Sequence, residues 1–147
     1  MMLEPLVSGR ALCSRDALSG IALAAVAMTV SSVVCADGGV ATPFGEKVCR
    51  ATVAFVMGHD PSIVSISRID GSIIHLSYRR PSDGTEWSFR CKLAGSRVMH
   101  SGVSGRWLDH PLDEMVTYSA SDTHINLFLK YPDGSIIDQK SFDISAL

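Results

Sequence analysis

The most regular pattern in this 147-residue chain is a strict two-residue alternation between positions 86 and 93. Trp87, Phe89, Cys91 and Leu93 alternate there with Glu86, Ser88, Arg90 and Lys92. Successive side chains of a strand point to opposite faces, so the segment predicts a strand with one buried and one solvated face. Six further runs of strand character lie at 62–69, 72–79, 97–103, 114–119, 123–131 and 135–142. Turn residues separate several of them: Asp70-Gly71, Pro81-Ser82-Asp83-Gly84, Ala94-Gly95, Ser121-Asp122 and Pro132-Asp133-Gly134. Glycine supplies the positive φ that such turns need, and aspartate bonds the backbone two residues on. No helical segment intervenes, which predicts an antiparallel meander rather than parallel βαβ units. Asp-Gly-Ser-Ile-Ile occurs twice, at 70–74 and 133–137. A duplicated hairpin and the reuse of one favourable turn both account for it.

Before the strands the period is helical. Thr42-Pro43 combines a hydroxyl N-cap with proline at the first helical position. Cys49, Val53, Val56 and Met57 then share one stripe, and Gly58 provides the stop. Cys49 thus lies on the apolar stripe of the helix and Cys91 on the buried face of the clearest strand. A disulfide between them would tie helix to sheet at the core. The predicted fold is α+β: an N-terminal helix packed on a six- to seven-stranded antiparallel β-meander, with enough strands to curl toward a barrel.

Ahead of the helix, positions 17–36 hold no charged residue. Arg10 and Arg15 precede this segment and Val34-Cys35-Ala36 ends it. Basic region, apolar region and small residues in that order predict an export signal over 1–36, cut after Ala36. A single domain over 37–147 would then reside in the periplasm or outside the cell. The same segment is also readable as an uncleaved membrane anchor, since a spanning helix needs about 20 mostly apolar residues, or as a lipoprotein leader with the lipid on Cys35. All three readings put the domain outside the cytoplasm.

Cysteine usage agrees. Of four cysteines, a cut after Ala36 removes Cys13 and Cys35 and leaves Cys49 and Cys91. Neither lies in a Cys-x-x-Cys context or beside ligand-spaced histidines, so an isolated pair in an oxidising compartment predicts a structural disulfide. It would close a loop of about 43 residues, with a chain-entropy stabilisation of about 4 kcal/mol. Hydrophobic residues at 46% and charged residues at 19% support a packed core. A formal net charge of −2 lacks the basic excess of a nucleic-acid binder. Glycine-rich phosphate loops, heptads and other cofactor motifs are absent, so no cofactor is predicted.

The least ordinary stretch is Ser101-Gly102-Val103-Ser104-Gly105-Arg106-Trp107-Leu108-Asp109-His110-Pro111. Binding residues concentrate on loops held by rigid scaffolds, and Trp with Arg is typical of interface hot spots. Ser101, Ser104, Arg106, Trp107 and His110 are therefore candidate binding residues. A structural alternative has Trp107 covering an end of the sheet and Arg106 paired with Asp109 or Asp113. Arg79 and Arg80, with Arg90 and Lys92, form a candidate basic patch for an anionic glycan or an acidic protein. Its alternative is an ordinary solvated face neutralised by Asp83, Glu86 and Asp138.

The histidines, His59, His75, His100, His110 and His124, have no metal-ligand spacing. A triad can be drawn from Ser101, His110 and Asp113, but no Gly-x-Ser-x-Gly elbow marks a nucleophile. The pattern favours an exported binding module without catalysis, directed at an envelope protein or cell-wall component and not at nucleic acid. A membrane contact enters only if the leading segment stays uncleaved. A small hydrolase and an envelope assembly component are the alternatives.

The run 49–142 resembles small exported bacterial proteins of unknown function. The resemblance rests on Met57-Gly58-His59-Asp60-Pro61, Tyr78-Arg79-Arg80-Pro81-Ser82-Asp83-Gly84-Thr85, Trp87-Ser88-Phe89-Arg90-Cys91 and Gly105-Arg106-Trp107. More loosely, Ser101-Gly102-Val103-Ser104-Gly105-Arg106 is similar to the Ser/Gly-rich loop that periplasmic lysozyme inhibitors present to the lysozyme cleft. That resemblance implies an inhibitor-like role for the loop.

Overall fold

The structure is a computed structural model that describes residues 40–147. The expected export signal and its cut after Ala36 lie outside the described residues. Helix α1 (Pro43–Met57) begins and ends where its caps dictate. Thr42 Oγ1 accepts the Gly45 N–H at 3.0 Å. At the other end Gly58 adopts φ 67°, and the N–H groups of Gly58 and His59 reach back to Phe55 and Ala54. Those bonds satisfy carbonyls that have no partner further along the helix.

Seven strands follow: β1 (Ser65–Asp70), β2 (Ile73–Arg79), β3 (Glu86–Ala94), β4 (Arg97–His100), β5 (Met115–Ala120), β6 (His124–Lys130) and β7 (Ile136–Asp143). Each pairs antiparallel with its chain neighbours, in the order β1-β2-β3-β4-β5-β6-β7. β1 and β7 are edges, so the sheet does not close into a barrel. Curvature is nevertheless required. Seven strands at a spacing of about 4.8 Å make a flat sheet roughly 30 Å wide, against a helix diameter of about 10–12 Å. Yet α1 touches β1, β2, β3, β4 and β6. The sheet bends around the helix, and the helix fills the hollow.

One face of the sheet and most of the helix form the core. Val48 and Val53 of α1 meet Ile74, Leu76, Val98, Val116, Ile125 and Leu127, all at most 2% exposed. The disulfide runs from Cys49 to Cys91, with 5.8 Å between Cα atoms, and both residues are fully buried. Lys47 Nζ donates to the carbonyls of Ile144 (2.6 Å) and Leu147 (2.9 Å), binding the 3₁₀ turn Ile144–Ala146 to the helix.

Two strands depart from the sequence reading. The run 62–69 opens as a 3₁₀ turn, Pro61–Ile63, because the Asp60 carboxylate caps the Ser62 N–H at 2.8 Å and Pro61 fixes the first φ. The run 97–103 ends at His100. Beyond it the chain doubles back through a tight turn, with the Gly102 N–H on the Arg106 carbonyl and the Gly105 N–H on the Gly102 carbonyl. The two Asp-Gly-Ser-Ile-Ile copies form the β1–β2 and β6–β7 turns, with Gly71 and Gly134 at φ 59° and 88°.

Opening the disulfide should lower stability by about 4 kcal/mol in the chain-entropy picture, read as a shift in urea midpoint with and without reductant. His100 gives a second expectation. It pairs with Cys91 across β3–β4, is 4% exposed, and has no hydrogen-bond partner for Nδ1. Burial holds its imidazole below the ordinary value of 6.5. The unfolded chain therefore takes up this proton first, and stability should fall as pH drops below about 6.5. In His100→Leu that loss should flatten, measured by urea unfolding between pH 7.5 and 5.

Candidate functional site

The core face of the sheet is closed by the helix, so exposed chemistry gathers on the opposite face and on the long 101–113 connection. Alternation assigns the residues. Ile74, Leu76 and Tyr78 point into the core, which turns His75, Ser77 and Arg79 outward; Phe89 and Cys91 likewise turn Arg90 and Lys92 outward. Register joins them: Arg68 lies opposite His75, and His75 opposite Arg90. Arg68 Nη2 stands 3.2 Å from His75 Nε2, and Arg68 also pairs with Asp70 at 3.8 Å. Arg79 faces Glu86. Arg90 and Lys92 stand two residues apart on the outer face of β3, and Arg97 opens β4 opposite Ala94.

Trp107 lies over Arg90 and Lys92. Its ring centroid is 4.9 Å from Arg90 Cζ and 5.1 Å from Lys92 Nζ, within the range of cation–π attraction. An isolated bridge pairs Ser101 with Trp107, and Arg90 donates through Nη2 to the Gly105 carbonyl. The first half of the loop is thereby held against β3.

A second lock closes the far side. Arg106 meets Asp113 through two parallel bonds, Nη1 to Oδ2 at 3.0 Å and Nη2 to Oδ1 at 2.8 Å. This fork geometry fixes both partners as well as neutralising them. The Asp113 carboxylate also accepts the His110 N–H at 3.0 Å. The Arg106 side chain foremost holds the Asp113 carboxyl well below the usual carboxylate value, down to about 2. The locked loop exposes two large apolar side chains, Val103 at 56% and Leu112 at 78%, among the polar Ser104, Asp109 and His110. Such side chains on a pinned backbone cost little entropy on docking.

The structure sorts the sequence candidates. Trp107 belongs to the platform with Arg90 and Lys92. Ser104 sits exposed at the tip of the 102–105 turn, beside Val103. Arg106 has the Asp113 partnership that the structural alternative named, so its guanidinium braces the loop. Ser101 lies at the root of the loop. It is 1% exposed, and its Oγ accepts the Arg90 N–H at 2.9 Å, which makes it part of the loop anchor. His110 accepts the Leu112 N–H on Nδ1 at 3.2 Å.

Arg79 and Arg80 do not form one patch, because β2 ends at Arg79 and Arg80 belongs to the turn that follows. Arg79 shares the outer face, whereas Arg80 stacks over Trp87 at 4.0 Å and bonds Asp83 at 3.1 Å within its own turn. Ser101, His110 and Asp113 form no chain of side-chain hydrogen bonds: Ser101 Oγ accepts the Arg90 N–H, the Asp113 carboxylate is held by Arg106 and the His110 N–H, and His110 Nδ1 accepts the Leu112 N–H. His100, the other hydrolase candidate, lies in the core. Sequence reading passed over Arg68 and Arg97. Alternation points Arg97 outward, but a bulge between Ile66 and Arg68 reverses the parity of β1. No counting rule could have placed Arg68 beside His75.

No protein-family model matches the chain, no curated protein matches it, and no solved structure matches its fold.

The Arg106–Asp113 lock predicts the acid behaviour of the loop. The folded carboxyl is held below its ordinary 3.8, so its contribution is complete above about pH 4 and is lost as pH falls toward 2. Trp107 emission should report loosening over that interval. Asp113→Ala should produce the loosened signal already at pH 7, with the global unfolding midpoint nearly unchanged.

Proposed function

We propose that this chain is an exported, non-catalytic binding module that docks a partner protein of the cell envelope through the 101–113 loop and the Arg90–Lys92–Trp107 platform. The observation that carries the reading is the combination at one place of a doubly locked loop, two exposed apolar side chains and a cation-flanked indole. An anchor of this make-up suits a partner surface that is apolar at its centre and acidic around it.

Export rests on the leading segment and on the disulfide, a bond that persists in oxidising compartments. Among the described residues no helix is long and apolar enough to cross a membrane. An inhibitor of a cell-wall hydrolase is the concrete form of the proposal. Glycosidase clefts carry a pair of carboxylates, and a preorganised loop flanked by Arg90 and Lys92 is complementary in charge to such a cleft.

The test uses the protein recovered from the envelope of an expressing host. Clearing of a peptidoglycan suspension by purified lysozymes is followed with and without it, and envelope proteins bound to it are identified by mass spectrometry. The reading expects lysozyme inhibition, or capture of one defined partner. Either should be lost in Trp107→Ala and in Lys92→Glu, with thermal midpoints within about 3 °C of the parent. Unchanged inhibition or capture in both variants would refute the proposed site. A large loss of stability in Trp107→Ala would make the indole a structural residue.

A further inference from the structure

The last strand ends the sheet with its outer edge open. Among the described residues β7 pairs only with β6, and Asp138, Gln139, Lys140 and Ser141 are all exposed. The Gln139 N–H makes no ladder bond to β6; it donates to the carboxylate of Asp138 at 2.8 Å. Backbone polar groups alternate in direction along a strand. Gln139 and Ser141 therefore send their N–H and C=O groups off the edge, while Asp138 and Lys140 send theirs toward β6. Register sets the side chains: Asp138 lies opposite Leu129 and Lys140 opposite Leu127, which places both charges on one face of the sheet.

These positions are self-complementary. Pairing β7 antiparallel with a second β7 about a twofold axis at Gln139 brings each Asp138 opposite Lys140 of the other copy, twice. Gln139 meets its own counterpart as a hydrogen-bonded pair, the arrangement its outward N–H and C=O require. The two charge pairs fall at the closer, non-hydrogen-bonded positions of the ladder, where cross-strand side chains interact best. In the single chain the Asp138 carboxylate occupies the Gln139 edge N–H. On pairing, that N–H passes to the facing Gln139 carbonyl, and the carboxylate turns to Lys140. In the single chain the Lys140 ammonium lies 5.0 Å from the centroid of the Phe142 ring, a contact that competes with the facing Asp138. The opposite edge does not offer the same. The bulge between Ile66 and Arg68 leaves β1 three regular residues, and Arg68 is already engaged by Asp70 and His75.

We propose that two copies of this chain associate edge to edge through β7, in an isologous antiparallel pair centred on Gln139, extending the sheet across the twofold axis. A single strand pair is a small interface, so the association is concentration-dependent and salt-sensitive.

Sedimentation velocity of the envelope-recovered protein over a concentration series tests this, with circular dichroism confirming the fold of each variant. The parent should pass from monomer to dimer, and no larger species should form. Asp138→Lys places like charges opposite each other at both positions and should raise the dissociation constant by about tenfold or more. Lys140→Glu should do the same, and it serves if the first variant does not fold. The double exchange D138K/K140D restores complementarity and should restore dimerisation. A parent that stays monomeric to its solubility limit would overturn the proposal. So would a dimer unaffected by the single variants, or open-ended oligomers that the double exchange fails to rescue. Loss of the dimer leaves the 101–113 site intact, so the two readings fail independently.

Discussion

Eight of the fifteen residues of α1 are buried, from Gly45 to Phe55, and they cover most of its circumference. A helix lying on a flat sheet hides only a stripe. Burial on this scale requires the sheet to bend around it, and the Cys49–Cys91 bond ties the two together at the centre of the contact. The consecutive hairpins let the sheet bend, since each strand pairs only with its chain neighbours and no crossover stiffens the path. The helix makes a barrel unnecessary: its own side chains occupy the space that closure would have enclosed.

The candidate site follows from that arrangement. With the inner face given over to the helix, the outward positions of β3 and β4 hold Arg90, Lys92 and Arg97, and the chain between β4 and β5 must cross above them. That connection is long, yet it is fastened at three places: the Ser101 anchor on β3, the Trp107 ring against Arg90 and Lys92, and the Arg106–Asp113 fork. A backbone held in this way would lose little entropy on docking a partner, which is the basis of the binding proposal.

Much of this architecture was legible in the sequence. Thr42, Pro43 and Gly58 mark the helix ends through local chemistry, and the two-residue alternation of 86–93 identifies β3 and its faces. The pairing of Cys49 with Cys91 follows from two periodicities meeting. What escaped depends on contacts that no single segment encodes. The Asp60 cap converts the start of the first predicted strand into a 3₁₀ turn. The Gly102–Gly105 turn cuts β4 short and buries Ser101, which composition alone presents as a polar loop residue. The bulge in β1 swaps the faces of Arg68 and its neighbours. Arg106 was readable as either a binding or a bracing residue, and only the geometry of Asp113 decides between them.

Everything proposed for the loop presumes an oxidised domain outside the cytoplasm, and one measurement addresses this most directly. It is the intact mass of the protein recovered from the cell envelope, with thiol alkylation before and after reduction. The account predicts a chain beginning at Asp37 whose two remaining cysteines, Cys49 and Cys91, take up label only after reduction. A chain that retains residues 1–36, with Cys49 and Cys91 labelled without reduction, would contradict it.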